Sequence, residues 1–456
     1  MKVNATLYFS YISKELSSLK SIFVENPSLF KSLSIGLLIR LVLAPLLGHP
    51  YDLRIFMAVA WAVANGITPY GQYVLQRIFV DMPHPYLYGT CSGIGYPPSW
   101  GLILGSIYFF SSIVAPGNIY AFVLALKVPI IVGDVVASIL LYRILESEVG
   151  SGIASKVFHF YLLCPFLIVV GTVWGMFDVL VFIFAILSAY LLLKRRSLSA
   201  VSLALASSLK PYAIILAPLY SILIYKKFRS VKSASHYLLV VLVLLSLLTL
   251  FPMLLFRWPL SNLYCALSAH LSSINFYYEE GVPYTYGAAS PFNIYNVLRL
   301  FFPEIEPPSF LNYIWIGGCL VSYIYIFLYT AESDFKSIIN YSFLTSLLFF
   351  TTRFWVSEQN LIFLLSFFIL TVFFNKRRGG WRLIHTFWIL LLAFVLIHVP
   401  ASGFLWIVNP RALDAATAFC NGPYGYLRWI LMSVLTFSWL YIMFWYSFRE
   451  RIIWLG

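Results

Sequence analysis

The chain has 456 residues, of which 61% are hydrophobic and 10% charged, and its mean hydropathy is +0.87. Soluble domains carry roughly 25% charged residues, so this composition excludes a soluble globule and identifies an all-α polytopic membrane protein. Lys and Arg outnumber Asp and Glu by 30 to 17, yet the basic residues gather in short stretches between apolar runs, without the aromatic interleaving that stacks bases, which argues against nucleic acid as a partner.

Residues 1–31 carry Lys2, Lys14, Lys20 and Lys31 among scattered apolar residues and read as a cytoplasmic interfacial segment. Because about 20 apolar residues span a bilayer as a helix, crossings are predicted at 32–49, 99–115, 119–144, 176–193, 236–256, 309–330, 335–352, 357–374, 382–402 and 427–446. Two stretches resist counting: 157–193 is too long for one helix and short for two, and 198–225 is broken by Lys210-Pro211. The total expected is about 11–13 helices.

The basic clusters Lys194-Arg195-Arg196, Lys226-Lys227-Phe228-Arg229, Lys376-Arg377-Arg378 and Arg449-Glu450-Arg451 mark inner loops by the positive-inside rule. With the N-terminus inside, Asp52 falls outside, and two ordinary crossings place Glu146 to Lys156 outside too. If 157–173 and 176–193 then both span, Lys194-Arg195-Arg196 lands outside, against the charge rule. A dip and return of 157–173, with a short hairpin at Lys210-Pro211, is one escape. The outer loops 51–99 and 257–308 are long, which usually marks function. The chain thus divides into the segment 1–31, a transmembrane module 32–256 that includes loop 51–99, the outer loop 257–308, and a C-terminal transmembrane module 309–456.

Five cysteines, Cys91, Cys164, Cys265, Cys319 and Cys420, show no Cys-x-x-Cys spacing, so no zinc or dithiol site is indicated. Cys164 and Cys319 read as packing residues, and one disulfide among the other three stays open.

Asp52, in Gly48-His49-Pro50-Tyr51-Asp52, sits where the first apolar run ends, an expensive place for a carboxylate unless water, a partner or a substrate uses it. It stands at or near the N-cap of an amphipathic stretch that ends at Gly66, and capping alone could account for it. The segments around and after it shift that balance. Ile67-Thr68-Pro69-Tyr70-Gly71, Tyr96-Pro97-Pro98-Ser99-Trp100, Lys127-Val128-Pro129 with Asp134, Trp174-Gly175-Met176-Phe177-Asp178, Leu209-Lys210-Pro211, Ser290-Pro291-Phe292-Asn293-Ile294-Tyr295 and Val356-Ser357-Glu358-Gln359-Asn360 follow in order. This series resembles the GT-C superfamily of glycosyltransferases, in particular its polyprenyl- or dolichyl-phosphate-mannose-dependent branch, which includes the GPI mannosyltransferase family and related archaeal and bacterial mannosyltransferases. Asn360 stands where the branch has Tyr after its Glu-Gln or Ser-Gln pair, and the Pro that closes that motif is absent.

The resemblance implies a GT-C bundle with amphipathic helices in the outer loops, and inverting transfer of a hexose, mannose by resemblance, from a polyprenyl or dolichyl phosphate to a hydroxyl acceptor. It implies Asp52 as general base. Donor-phosphate contacts are expected from Arg54, Arg353, Glu358, Gln359 and His398, with His84 and Arg257 as further cation candidates. Arg353 also reads as a snorkelling anchor and His398 as a satisfied polar residue of the bundle. Tyr96, Asp134, Trp174, Asp178, Lys210, Glu279 and Glu280 are expected at the acceptor or behind the first contacts. For Asp134 and Asp178 a structural pair with Lys127 or Lys210 is the preferred reading, and for Glu279-Glu280 a solvated loop is the simpler one. Members of the superfamily that carry Asp-x-Asp in this loop differ from the Asp52-Leu53-Arg54 found here, so no metal and no cofactor beyond the lipid-linked donor is expected. The acceptor stays open among glycan, glycolipid and protein. A secondary transporter or lipid-linked-glycan flippase is the rival reading. The expected location is the plasma membrane of a prokaryote, an archaeon favoured, over the endoplasmic reticulum, with the active site on the extracytoplasmic face.

Overall fold

In the computed structural model, which describes residues 23–70, 94–271, 289–330, 333–376, 379–421, 424–450 and 452, every regular element is a helix. Helix α1 (Pro27–Leu43) opens on a proline, whose missing N–H costs nothing in the first turn. Helix α2 (Asp52–Ala64) begins at Asp52 and stops at Gly66, whose φ of +73° is the left-handed turn the sequence anticipates. Helix α3 (Pro98–Val114) again starts on proline, and α4 (Ile119–Val149) is capped by Asn118, whose Oδ1 accepts the Ala121 N–H at 3.1 Å.

Helix α5 (Ser151–Leu163) ends because Pro165 cannot donate to the helical ladder. The chain bends there by 40° and continues through Pro165–Leu167 into a π-helical turn, Ile168–Trp174. There follow α6 (Asp178–Leu191), α7 (Arg196–Leu209), a tight turn Pro211–Ile215, α8 (Leu216–Phe228), α9 (Val231–Leu255), α10 (Leu260–Leu271) and α11 (Ile294–Leu298). The C-terminal part comprises α12 (Ile314–Tyr329), α13 (Phe335–Thr352), α14 (Leu361–Phe374), α15 (Gly380–His398), α16 (Arg411–Asn421) and α17 (Tyr424–Arg449). Among the described residues, α4, α9, α15 and α17 are long and apolar enough to cross a membrane, and the bent pair Ser151–Leu163 with Pro165–Trp174 supplies a fifth span if counted as one. The protein is an all-helical membrane protein.

Side-chain pairs fix the direction of each helix. Helix α5 runs parallel to α1, because His159 Nδ1 meets Ser32 Oγ at 2.6 Å while the Leu162 carbonyl, one turn on, accepts from Arg40 Nη1 at 2.5 Å. Helices α6 and α7 are antiparallel through Ser188 and Ser199, 3.0 Å apart. Helix α7 therefore climbs back to Asp178, and the expected hairpin at Lys210-Pro211 is found. Helix α8 descends from it, antiparallel to α13: Tyr220 OH lies 3.2 Å from Ser342 Oγ, and Ser333 Oγ donates to the Leu223 carbonyl at 3.1 Å.

This path corrects the expected side of Glu146 to Lys156. They lie at the end where α1 begins, opposite Asp52, since α5 starts there. The reason is that α3 does not return to that end. It packs along α2 and turns into α4 with Tyr108 against Phe122, ring centroids 5.2 Å apart, while Lys127, only five residues on, already reaches the carbonyls that follow α1. The part of α4 beyond Lys127 makes the crossing alone. Residues 151–174 then make a single bent crossing instead of a dip and return, and Lys194-Arg195-Arg196 falls at the end where α1 begins, without conflict.

Deep in this bundle Arg40 Nε donates to Asp134 Oδ2 at 2.8 Å, and Arg40 Nη1 donates to the carbonyls of Gly36 and Leu162, with both side chains buried. Asp134 therefore pairs with Arg40, which corrects the expected partner, Lys127 or Lys210. Removing one partner of such a pair strands the other charge at a cost of about 3–5 kcal/mol, whereas replacing both with apolar residues is often neutral. Arg40→Met or Asp134→Leu alone should lower the thermal unfolding midpoint in detergent strongly, and the double substitution should recover most of the loss; a double variant as weak as the worse single one contradicts the pairing.

Candidate functional site

Asp52 is the first residue of α2, with Tyr51 in the cap position, so its carboxylate sits where free helical N–H groups favour negative charge. One further side chain holds it and another lies beside it. Trp174 Nε1 donates to Asp52 Oδ2 at 2.7 Å, and His49 Nδ1 lies 3.1 Å from the same oxygen. His49 Nδ1 also accepts the backbone N–H groups of Asp52 at 3.0 Å and Tyr51 at 3.3 Å. The imidazole thus caps the start of α2, and its ring stacks on Trp174 with centroids 4.2 Å apart and planes 4° from parallel.

Trp174 reaches this place because Gly175 turns the chain at φ +99°. A side chain there would be strained in the left-handed region, and its Cβ would stand 3.4 Å from Lys127 Cε. Lys127 donates to the carbonyls of Ala44, Leu47 and Val173, tying the approach to Asp52 to the approach to Trp174.

Behind this pair, Asp178 opens α6 and has both oxygens engaged: Oδ2 with Lys210 Nζ at 2.6 Å and Oδ1 with Tyr212 OH at 2.9 Å. Asp178 and Lys210 are therefore the structural pair the sequence favoured. The Lys210 ammonium also lies 5.0 Å from the Tyr96 ring centroid and 4.8 Å from that of Phe177. Tyr96 is buried there, and its carbonyl accepts from Tyr70 OH at 2.8 Å.

The C-terminal half closes the site. Arg353 is buried after the last turn of α13, within electrostatic range of Tyr96 and Tyr212. The segment that follows is pinned by Ala289 N–H donating to the Val356 carbonyl at 2.7 Å and Ser290 Oγ donating to the Phe354 carbonyl at 2.6 Å. Glu358 Oε1 pairs with His398 Nδ1, and the His398 carbonyl accepts from Arg428 Nη1 at 3.4 Å. Glu358, Gln359, His398 and Arg428 are all buried, and Gln359 Oε1 has no hydrogen-bond partner among the described residues.

Burial pushes the Asp52 carboxyl up to about 6, and nearby Glu358 adds to the rise; the Trp174 hydrogen bond and the neighbouring Lys210 and His398 oppose it. Burial, reinforced by His398, pulls His49 well below the ordinary imidazole range. At neutral pH Asp52 is ionised yet more basic than a solvated carboxylate, and His49 is neutral.

The fold thus gathers Asp52, Tyr96, Trp174, Asp178, Lys210, Arg353, Glu358 and His398, with Gln359 beside Glu358. It does not bring in Asp134, which pairs deeper with Arg40, or Arg257, which is exposed at the end of α9. Arg54 lies at the rim, its guanidinium 6.0 Å from the Trp406 ring centroid. His84, Glu279 and Glu280 lie outside the described residues. Sequence reasoning missed His49, Tyr212 and Arg428. Their signals were modest: a histidine three residues before a helix start, a tyrosine next to a Lys-Pro pair, and an arginine inside the last long apolar helix. Among the described residues, no group of three or more His, Cys, Asp or Glu is placed to hold a metal ion. No protein-family model matches the chain, and no curated protein matches it.

A carboxyl whose folded-state pKa is raised from 3.8 to about 6 stabilises the fold fully below the unfolded value and loses that contribution as pH rises through the folded one. Above pH 6 the ionised Asp52 is therefore a burden on stability. Asp52→Asn should raise the thermal midpoint at pH 7.5, and the gain should vanish as pH falls to about 4; an unchanged or lower midpoint at pH 7.5 contradicts the burial of the charge.

Proposed function

We propose that the chain is a GT-C-type inverting glycosyltransferase, moving a hexose from a polyprenyl or dolichyl phosphate to a hydroxyl acceptor with Asp52 as general base. The carrying observation is the setting of the Asp52 carboxyl: held by Trp174 and near Lys210 and the Glu358–His398 pair, with burial raising its pKa to about 6. A general base works best when its pKa lies near the operating pH, because it is then both deprotonated and willing to take a proton. The acceptor oxygen attacks the anomeric carbon as Asp52 removes its proton. The bond from that carbon to the phosphate oxygen breaks, and the lipid phosphate leaves with the electron pair. Inversion at carbon follows from attack opposite the leaving group.

Charge on the departing phosphate is met by fixed cations, of which Arg353 is the principal one, with His398 and Arg54 around it. In this reading Asp178 and Glu358 hold Lys210 and His398 in place and reach no substrate. A polytopic helical bundle is compatible with this reading: among the described residues four helices, or five with the bent pair Ser151–Leu163 and Pro165–Trp174, are long and apolar enough to cross a membrane. Lys194-Arg195-Arg196 and Lys226-Lys227-Phe228-Arg229 lie at the end opposite Asp52, which by the positive-inside rule supports reading the site as extracytoplasmic. Mannose is carried by the resemblance, and the acceptor hydroxyl belongs to a glycan, glycolipid or protein.

Purified protein given a polyprenyl-phosphate mannose and candidate acceptors should form the glycoside. Asp52→Asn and Asp52→Ala should lower kcat by on the order of 100-fold or more with folding intact, and wild-type activity in either variant defeats the assignment. The wild-type kcat/KM should fall below about pH 6 as Asp52 takes up its proton. Chelation with EDTA should leave the rate unchanged, since protein cations meet the phosphate; a rate abolished by EDTA and restored by a divalent ion refutes that role. Movement of the lipid-linked sugar across vesicles with no new glycosidic bond is the outcome a flippase would give.

A further inference from the structure

On the flank of the bundle, toward the end that carries the basic clusters, α5 and α15 separate. The cause is local. Helix α15 packs against Pro165–Leu167, beyond the 40° bend, so α5 below the bend leans away from it. The result is a groove of about 500 Å³ whose walls include Lys156, His159 and Phe160 on α5 and Trp381, His385 and Trp388 on α15. Lys156 stands three and four residues before His159 and Phe160, and Trp381, His385 and Trp388 follow at intervals of four and three, so each set shares a helical face. Phe160 bridges the walls, 5.9 Å from Trp381 and 5.5 Å from His385 between ring centroids.

The groove is graded along its length. Lys156 is exposed at its outer mouth. His159 uses Nδ1 toward Ser32, and His385 uses Nδ1 toward the Trp381 carbonyl, so each ring keeps Nε2 for another partner. Trp388, about 10 Å deeper along α15 than Trp381, adds its indole to the wall. Leu163, Cys164 and Pro165 form the apolar floor. No acidic residue lines the groove. A cation and imidazoles at the mouth and an apolar floor deeper in match the phosphate and the acyl chain of a lipid. Anionic lipids also concentrate beside basic clusters at a membrane face.

We propose that this groove is a binding site for one anionic glycerophospholipid, with its phosphate at Lys156 and an acyl chain along Leu163 and Pro165. The site lies at the opposite end from Asp52, so it stands or falls independently of the transfer reaction. The test is native mass spectrometry of the full chain in detergent, titrated with dioleoyl phosphatidylglycerol and dioleoyl phosphatidylcholine. One phosphatidylglycerol per chain should be retained about fivefold more tightly than phosphatidylcholine. Lys156→Glu should erase that preference, while Lys226→Glu, at the same end but outside the groove, should preserve it. Leu163→Trp, which fills the floor without altering charge, should remove the retained lipid, and millimolar inorganic phosphate should not displace it. Equal retention of the two lipids, a preference that survives Lys156→Glu, or displacement by inorganic phosphate overturns the proposal.

Discussion

Lys127 gathers three backbone carbonyls that no helix satisfies: those of Ala44 and Leu47, just past the end of α1, and that of Val173, near the end of the π-helical turn. An ammonium has three hydrogens, and here each finds an oxygen. Both chain ends are C-terminal, where the helix dipole favours a cation. The consequence reaches Asp52. The segment that leaves α1 carries His49 and Asp52, and the turn that ends in Val173 carries Trp174, so one buried amine sets the distance between the carboxylate and the indole that donates to it.

Other buried charges are likewise paired. Arg40 and Asp134 neutralise each other while the guanidinium also reaches the carbonyls of Gly36 and Leu162. Asp178 divides its oxygens between Lys210 and Tyr212. A charge left unpaired at this depth is costly, so these networks hold the crossings in one register. Lys210 sits at the tip of the α7–α8 hairpin, where the chain leaves helical geometry at Pro211. Interrupted backbone is tolerated at membrane depth when protein covers it, and Tyr96, Phe177 and Asp178 cover this tip.

Much of this was legible in the residues. Asp52 at a helix start, the stop at Gly66 and the hairpin at Lys210-Pro211 each rest on chemistry within a few positions. The partner of Asp134 was not legible, because Arg40 is 94 residues away and nothing local distinguishes it from Lys127. The side of Glu146 to Lys156 failed for another reason. Hydropathy cannot separate a helix that crosses from one that packs across an end, and α3 has the apolar composition of the former and the path of the latter. His49 escaped notice because its role depends on stacking against Trp174, 125 positions along the chain by their numbers.

Trp174 ties these threads together by acting through three contacts at once. Its backbone neighbour Val173 is held by Lys127, its ring carries His49, and its indole N–H binds the Asp52 oxygen that would take a proton. The hydrogen bond lowers the carboxyl pKa and burial raises it, and burial prevails, leaving a value of about 6. Without the indole the same burial would leave a still weaker acid, protonated over more of the neutral range and less often available as a base. Without the burial the carboxylate would return toward its ordinary acidity and hold a proton too loosely to help a hydroxyl attack. The Trp-Gly pair therefore does more than mark a motif: Gly175 permits the turn, the turn aims the indole, and the indole sets how strong a base Asp52 can be.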